Sequence, residues 1–278
     1  MDNKIIELKK IATDIRLGIV EAVFNGKSGH PGGALSSADM LACLYFSEMR
    51  VNPATPDDPD RDRFILSKGH SCPGLYAALA LKGYFDKKEL KSFRQTGALL
   101  QGHPDMKAIK GVDMSAGSLG QGFSAACGMA LSGKISGKDY RVYTLIGDGE
   151  SQEGQIWEAT MFAAHYKLDN LCLIIDNNGL QIDGRVSDVM NTMPYESKLE
   201  AFGWNVITID GHNIEEILSA FAKAKEVKGK PTAIVAKTVK GKGVSFMEDQ
   251  AGWHGKAPNA EQYEIAVKEL NEYKNGLN

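Results

Sequence analysis

The sequence of 278 residues lacks several features that would place it in a specialised class of protein. No run reaches the roughly 18 apolar residues that a membrane-spanning helix needs. The opening residues, MDNKIIELKK, lack the continuous apolar segment of a signal peptide. Long basic blocks are absent as well, and the net charge is −3, so neither a nucleic-acid partner nor an anionic membrane is favoured. We therefore expect a cytoplasmic protein.

Cysteine is scarce and its spacing is wide. The four cysteines are Cys43, Cys72, Cys127 and Cys172, and no two of them form a CxxC pair. Three lie in apolar stretches typical of helix or strand interiors, so we expect reduced thiols in the core. Repeats, low-complexity tracts and Ser/Gly linkers are also missing. With 43% hydrophobic and 24% charged residues, the whole chain, 1–278, is expected to form one globular domain.

Five short runs of β-branched or apolar residues have the length of strands. They are Arg63–Ser67, Tyr140–Ile146, Asn170–Asp176, Trp204–Asp210 and Pro231–Thr238. Segments of helical period are Leu35–Met49, Leu119–Gly133, Gln155–Leu168, Ile214–Val227 and a closing amphipathic segment from Asn259 onward. This alternation predicts an α/β fold with a mostly parallel sheet that is covered by helices on both faces.

Two of the predicted strands are each followed by a side chain with an oxygen donor. Asp148 stands between two glycines in GDGESQEG, and Asn178 follows the next strand in LCLIIDNNGL, thirty residues later. A strand–helix–strand crossover of this length would bring both side chains to the carboxyl edge of the sheet, where open parallel sheets bind ligands. Magnesium prefers such oxygen ligands together with phosphate oxygens, and Gly147 and Gly149 would let a diphosphate approach the backbone.

Three other interpretations of these motifs are weaker. Asp148 could cap a helix and Asn178 could belong to an Asn-Gly turn; either element alone favours that structural role, but the pair at this spacing favours a metal–diphosphate site. SAGSLGQG has the pattern GxxGxG instead of GxGxxG, and no acidic residue ends a strand about twenty residues later, which disfavours a dinucleotide site. The histidines lack the close spacing of zinc motifs.

Five of the six histidines adjoin a glycine or lie in a Gly/Pro turn. They are His30, His70, His103, His212 and His254, whereas His165 lies in a predicted helix and is expected to be structural. An imidazole on a rigid loop can reach a ligand without competing with core packing, and its ordinary pKa suits proton transfer near neutral pH. Taken singly, each is equally well explained as a turn residue with a satisfied hydrogen bond.

GDG followed about 28 residues later by NN is the thiamine-diphosphate-binding motif, and GDGESQEGQIWEA resembles transketolase. The resemblance covers essentially the whole chain, as the first, diphosphate-binding (PP) domain of a transketolase. It implies thiamine diphosphate beside Gly149 and Mg²⁺, for which Ca²⁺ or Mn²⁺ could substitute. The implied metal ligands are the side chains of Asp148 and Asn178 and the backbone carbonyl of Leu180.

The same resemblance implies a role for four histidines. The family segments SGHPG, KGH, GHP and a late HG match His30, His70, His103 and His254, which would line the substrate channel. His30 and His254 would contact sugar hydroxyls and relay protons, and the other two would lie near the thiazolium and the diphosphate. His212 has no implied role, because it could simply cap the next helix.

Four further cofactor contacts are implied by the resemblance. Gly117, Ser118 and Leu119 belong to GSLGQG, which opens a helix beside the cofactor in transketolases. Glu153 would lie near the subunit contact at the cofactor.

The resemblance also implies a partner chain. In transketolases the glutamate that promotes deprotonation of the thiazolium belongs to the pyrimidine-binding domain, and no residue here can be assigned its place. Because 24 residues follow His254, we expect the pyrimidine-binding and C-terminal domains on a second chain, in an α2β2 assembly. The implied function is that of a split transketolase, which moves a two-carbon ketol unit from a ketose phosphate to an aldose phosphate. An enzyme similar to 1-deoxyxylulose-5-phosphate synthase, a transketolase for another sugar phosphate and a non-catalytic scaffold subunit remain alternatives.

Overall fold

A five-stranded parallel sheet forms the centre of the computed structural model, which describes residues 3–277. The strands of the chain are β1 (Arg63–Leu66), β2 (Val142–Gly147), β3 (Leu171–Asn177), β4 (Leu180–Gln181), β5 (Gly184–Arg185), β6 (Asn205–Asp210) and β7 (Thr232–Lys237). The central sheet has the order β1-β2-β3-β7-β6, and β4 pairs with β5 in a separate antiparallel ribbon. The predicted α/β fold with a mostly parallel sheet is confirmed. Met1, Asp2 and Asn278, the ends of the predicted 1–278 domain, lie outside the described residues.

Helices make up most of the remaining regular structure between residues 3 and 277. They are α1 (Asn3–Gly26), α2 (Pro31–Ser36), α3 (Ala38–Cys43), α4 (Cys72–Lys82), α5 (Gln121–Ile135), α6 (Gly154–His165), α7 (Val186–Val189), α8 (Tyr195–Ala201), α9 (Ile214–Glu226) and α10 (Ala260–Asn275). The single helix predicted over Leu35–Met49 is divided into the end of α2, then α3 and a π-helical turn, Leu44–Glu48. The division falls at Ser37, whose ψ of 1° departs from the helical value. No helix in this part of the chain is both long and apolar enough to span a bilayer.

Alternate residues of the central strands face two separate cores. Tyr143 and Leu145 of β2 pack in one core with α1, α3, α4 and α9, while Val142 and Ile146 of the same strand pack in the other with α5, α6 and α8. A parallel sheet buried on both faces needs apolar residues at consecutive positions, which explains the continuous apolar runs in the sequence. All four cysteines are buried and free, as expected.

The parallel arrangement brings the carboxyl ends of four strands to one edge of the sheet. Lys68 follows β1, Asp148 follows β2, Asn178 follows β3 and Lys240 follows β7. Because β1, β2, β3 and β7 are successive neighbours in the sheet, the loops after them are adjacent as well. This edge is therefore where the fold can build a site.

Candidate active site

A cavity of about 550 Å³ opens at the carboxyl edge of the sheet. Its lining includes eleven of the twelve site residues predicted from the sequence: His30, His70, His103, Gly117, Leu119, Asp148, Gly149, Glu153, Asn178, Leu180 and His254. The twelfth, Ser118, is exposed and lies outside the lining, and its carbonyl accepts a hydrogen bond from the backbone N–H of Gln121 where α5 begins. The turn into α5 thus brings the two neighbours of Ser118 to the cavity wall.

The three predicted metal ligands meet around one short turn. Asp148 Oδ2 accepts the N–H of Gly179 at 2.5 Å, and its Oδ1 accepts the N–H of Gly149 at 2.8 Å. Gly179 separates Asn178 from Leu180, so the carboxylate lies against the residues that carry the other two donors. The amide nitrogen of Asn178 donates to Asp176 at 3.3 Å, which assigns the nitrogen to the interior and leaves the amide oxygen for the turn.

Two buried carboxylates near the cavity have different electrostatic environments. The Lys68 ammonium lies 2.5 Å from Asp176 Oδ2, and this charge, with the hydroxyl of Ser36 at 2.6 Å, holds the pKa of Asp176 below its usual value although burial opposes this. Burial, and then the negative charge of Asp176, raise the pKa of Asp148 to about 6, although backbone N–H groups oppose the shift. A divalent cation would supply Asp148 with the direct countercharge that Asp176 already has.

Lys240 brings a second buried ammonium to the cavity. Its Nζ donates to the carbonyl of Leu180 at 3.1 Å and lies 3.2 Å from His254 Nδ1. Burial lowers the pKa of Lys240 to about 8, with the charge of Asp148 opposing the shift. Lys68 and Lys240 were both missed in the sequence analysis, and the signal that could have revealed them is that each follows a predicted strand within a few residues.

Three imidazoles form a compact triangle on the cavity wall. The ring centroids of His30, His70 and His254 lie 5.1 to 5.3 Å apart in each pairing. Burial, followed by neighbouring positive charges, lowers the pKa to about 4 for His30, about 2 for His70 and about 3 for His254. The triangle is therefore uncharged at neutral pH and can donate and accept hydrogen bonds. His103 lines the cavity beside Gly117, and burial also lowers its pKa.

Glu150 is a lining residue that sequence reasoning also missed. Its carboxylate accepts hydrogen bonds from the Ser67 hydroxyl at 2.5 Å, the Gly120 N–H at 2.9 Å and the Gly147 N–H at 3.1 Å. Burial raises the pKa of Glu150, and these donors oppose the shift. The side chain thus fastens the GSLGQG segment to the ends of β1 and β2.

The residues present fit a diphosphate and a divalent cation. A side chain at Gly149 would place its Cβ 3.0 Å from Gln181 Cβ, and one at Gly117 would lie 3.3 Å from His103, so both glycines keep the wall open. Two buried nitrogen atoms at the cavity, His30 Nδ1 and Gln181 Nε2, have no hydrogen-bond partner among residues 3–277. Oxygen donors for a metal, ammonium groups for phosphates and unpaired nitrogens for a ligand are therefore all present.

Comparison with known proteins identifies the family to which the chain belongs. Residues 7–274 match the family described as transketolase, thiamine diphosphate binding domain. The chain belongs to this family. The resemblance inferred from GDGESQEGQIWEA is thereby confirmed, and with it the expectation of a thiamine-diphosphate-binding domain.

Relatives in this transketolase family are of two lengths. The chain is 48% identical to 6-deoxy-6-sulfo-D-fructose transketolase subunit SqwG of Clostridium sp. (strain MSTE9), over 97% of this chain and 98% of that protein. It is 43% identical to an apulose-4-phosphate transketolase subunit of Phocaeicola vulgatus, over 92% of this chain and 91% of that protein. The crystal structure of transketolase from Campylobacter jejuni superimposes with a TM-score of 0.91 at 35% identity, but the match covers 98% of this chain and only 43% of that one.

Proposed function

We propose that this chain is one subunit of a two-chain transketolase that uses thiamine diphosphate to transfer a two-carbon ketol unit from a ketose phosphate to an aldose phosphate. The observation that carries the proposal is the convergence of Asp148, Asn178 and Leu180 at a cavity that also holds four histidines. The pentose phosphate pathway in the cytoplasm is the proposed setting.

The chain's own groups would divide the binding of the cofactor between them. Asp148, Asn178 and the Leu180 carbonyl would hold Mg²⁺, or Ca²⁺ or Mn²⁺ in its place, while the ammonium groups of Lys68 and Lys240 would offset the charge of the diphosphate. Bound thiamine diphosphate supplies an electron sink for carbon–carbon bond cleavage and formation.

The histidines would act on the sugar as neutral hydrogen-bonding groups. His30 and His254, which belong to the triangle, would position hydroxyls and move protons to and from the sugar oxygens. His70 and His103 would lie toward the thiazolium and the diphosphate. Because the three pKa values are lowered, the imidazoles of the triangle are neutral at pH 7 and can both donate hydrogen bonds to sugar hydroxyls and accept them.

A separate partner chain would complete the site. Two relatives named as transketolase subunits match this chain over nearly their whole lengths, whereas the Campylobacter jejuni transketolase chain is more than twice as long as the match. The partner would carry the pyrimidine-binding and C-terminal domains and the glutamate that promotes thiazolium deprotonation, in an α2β2 assembly.

A cluster of exposed apolar side chains supports a docking surface beside the cavity. Ile182, which lines the cavity, is 63% exposed. Met190 is 60% exposed, and its carbonyl accepts a hydrogen bond at 2.8 Å from the side chain of Gln152, another lining residue; Met193, three residues later, is 41% exposed. Apolar side chains grouped at the rim of a site are typical of protein interfaces. Glu153, exposed at the same cavity, would lie near this contact.

The second candidate keeps the reaction but changes the sugar. One relative is named for 6-deoxy-6-sulfo-D-fructose and another for apulose 4-phosphate, so a sulfonated ketose and other sugar phosphates belong in the substrate panel. Rates for xylulose 5-phosphate, fructose 6-phosphate and 6-deoxy-6-sulfofructose as donors would rank the two candidates.

The deciding experiment compares this chain by itself with this chain plus its C-terminal partner. Ketol transfer from xylulose 5-phosphate to ribose 5-phosphate should require both chains, thiamine diphosphate and Mg²⁺. Full activity without the partner would contradict the two-chain proposal. Absence of thiamine diphosphate binding, or binding that ignores Mg²⁺ even with the partner present, would support a scaffold role instead.

A further inference from the structure

A buried ion pair lies outside the cavity and has no part in the proposed reaction. Arg16 of α1 and Asp39 of α3 are each 5% exposed, and the guanidinium makes two contacts with the carboxylate, at 2.5 and 3.3 Å. Neither residue lines the cavity. A buried ion pair can often be replaced by apolar residues without loss of stability. The stability of the core therefore does not by itself explain why two charges are buried here.

His212 extends the ion pair toward the active site. Its Nδ1 lies 2.8 Å from Asp39 Oδ2, and its Nε2 accepts the backbone N–H of Val239 at 2.9 Å. An N–H group can only donate, so Nε2 carries no proton, and the carboxylate of Asp39 accepts a proton held on Nδ1. The Arg16 charge and the His212 contact keep the pKa of Asp39 below its usual value although burial opposes this. These contacts fix one neutral tautomer of the imidazole.

The Val239 peptide is the last link before Lys240. β7 ends at Lys237, so the backbone N–H and C=O groups of the following loop are not paired in the sheet and need other hydrogen-bond partners. Thr238 donates its N–H to the Asn177 carbonyl at 3.2 Å, and Gly241 donates to the Gly32 carbonyl at 3.0 Å. Between these two anchors, the imidazole of His212 supplies the acceptor for Val239.

The approach of the His212 loop depends on a glycine. A Cβ at Gly211 would lie 2.4 Å from the Thr238 side chain and 3.0 Å from the Lys237 carbonyl. The N–H of Gly211 donates to that same carbonyl at 2.8 Å. In the DGH sequence, Gly211 thus lets the backbone approach the loop that bears Lys240, and His212 supplies an imidazole acceptor to that loop.

We propose that His212 is a positioning residue for Lys240, acting through the peptide of Val239. Asp39, paired with Arg16, fixes the orientation of the imidazole, and the imidazole accepts the N–H of Val239. The Val239 peptide in turn orients Lys240, whose ammonium group contacts the Leu180 carbonyl and His254. This role rests on the proposed function of Lys240 at the diphosphate and the metal.

Two substitutions separate positioning from general stability. His212→Phe keeps an aromatic ring but removes both the Nε2 acceptor and the Nδ1 donor, whereas His212→Gln keeps an acceptor near the place of Nε2. His165→Phe, at a site on α6 remote from the cavity, is the matched control. Amide hydrogen exchange of the full chain, followed by mass spectrometry, reads the 238–242 segment directly.

We expect His212→Phe to speed exchange in residues 238–242 by about tenfold or more while β3 keeps its protection, and His212→Gln to restore most of that protection. Thiamine diphosphate with Mg²⁺ should bind several-fold more weakly to His212→Phe. In a Lys240→Met background the His212→Phe change should cause no further loss of affinity, since both changes act on one ammonium.

Unchanged exchange in residues 238–242, or affinity losses that add in full in the double variant, would overturn the positioning role. If the wild-type chain binds no thiamine diphosphate with Mg²⁺, either by itself or with its partner, the proposed function would be contradicted instead. The exchange comparison needs no ligand, so it tests the link between His212 and the Lys240 loop in either case.

Discussion

The Nζ atom of Lys240 lies 3.1 Å from the carbonyl oxygen of Leu180, the same oxygen that is proposed to coordinate the metal. An ammonium group therefore donates to an oxygen that the proposed function also assigns to the metal. We expect Lys240 and a divalent cation to compete for this oxygen, while the positive charge of Lys240 favours binding of the diphosphate.

Replacing Lys240 by methionine should separate these two effects. We expect Lys240→Met to weaken thiamine diphosphate binding by about 10- to 100-fold, because a buried charge-assisted hydrogen bond is lost. Binding of Mg²⁺ alone should not weaken, because the competing ammonium is gone. Isothermal titration with each ligand measures both constants, and exposed Lys223→Met serves as the control. Parallel weakening of both ligands would contradict the competition.

Metal binding should depend on pH through Asp148. Its pKa is raised to about 6, so below that pH a proton occupies the carboxylate and must leave before Mg²⁺ binds. We expect the affinity for Mg²⁺ with thiamine diphosphate to fall by up to about tenfold for each pH unit below 6 and to level off above 7. Asp148→Asn should lose the high affinity at every pH, whereas exposed Asp188→Asn should behave as wild type. A flat profile from pH 5 to 7 in the wild type would be evidence against this role.

The buried histidine triangle should make the fold sensitive to acid. The pKa of His70 falls to about 2 in the folded chain, so its neutral form favours folding above the ordinary value of 6.5, and this stability is lost as pH falls from 6.5. The loss approaches about 1.4 kcal/mol per pH unit for one such group. Denaturant melts at pH 7.5 and 5.5 should show a smaller drop for His70→Asn than for the wild type. Equal drops would mean that His70 is protonated as readily in the folded chain as in the unfolded one.

The apolar rim of the cavity should be needed for the partner. Ile182→Lys and Met190→Lys should weaken association with the C-terminal subunit by about tenfold or more, because each places a charge in a buried contact. Ile135 is 78% exposed but lies at the end of α5 remote from the cavity, so Ile135→Lys should leave association unchanged. Analytical ultracentrifugation of the mixed chains measures the effect. Equal behaviour of all three variants would place the interface elsewhere.

Elements with a clear period or a strong end signal could be predicted from the sequence. The five parallel strands are continuous apolar runs, and α9 begins at an Asn213 cap with polar residues along its outer face. Helix α4 was missed because it is apolar on every side and buried through most of its length, so it has no amphipathic period. In α1 the buried positions include Thr13 and Arg16, and these polar residues interrupt the apolar stripe.

Without the family resemblance, the site could be predicted only where a polar side chain directly follows a strand end. Asp148 and Asn178 satisfy that rule and meet as predicted at one edge of the sheet. Lys68 and Lys240 follow strands as well, but they are two among 32 basic residues, and only tertiary packing buries them. The role of His212 was harder still to predict, because its hydrogen-bond partners Asp39 and Val239 are remote from it in sequence.

The strand order has a consequence for a nascent chain leaving the ribosome. β6 precedes β7 in the sequence but lies outside it in the sheet, where it pairs with β7 and with no other strand of the described chain. Until residues 232–237 have been translated and inserted next to β3, the backbone N–H and C=O groups of β6 have no strand partner and one edge of β3 is open. Synthesis that stalls between residues 210 and 232 should therefore yield a chaperone-dependent, aggregation-prone intermediate.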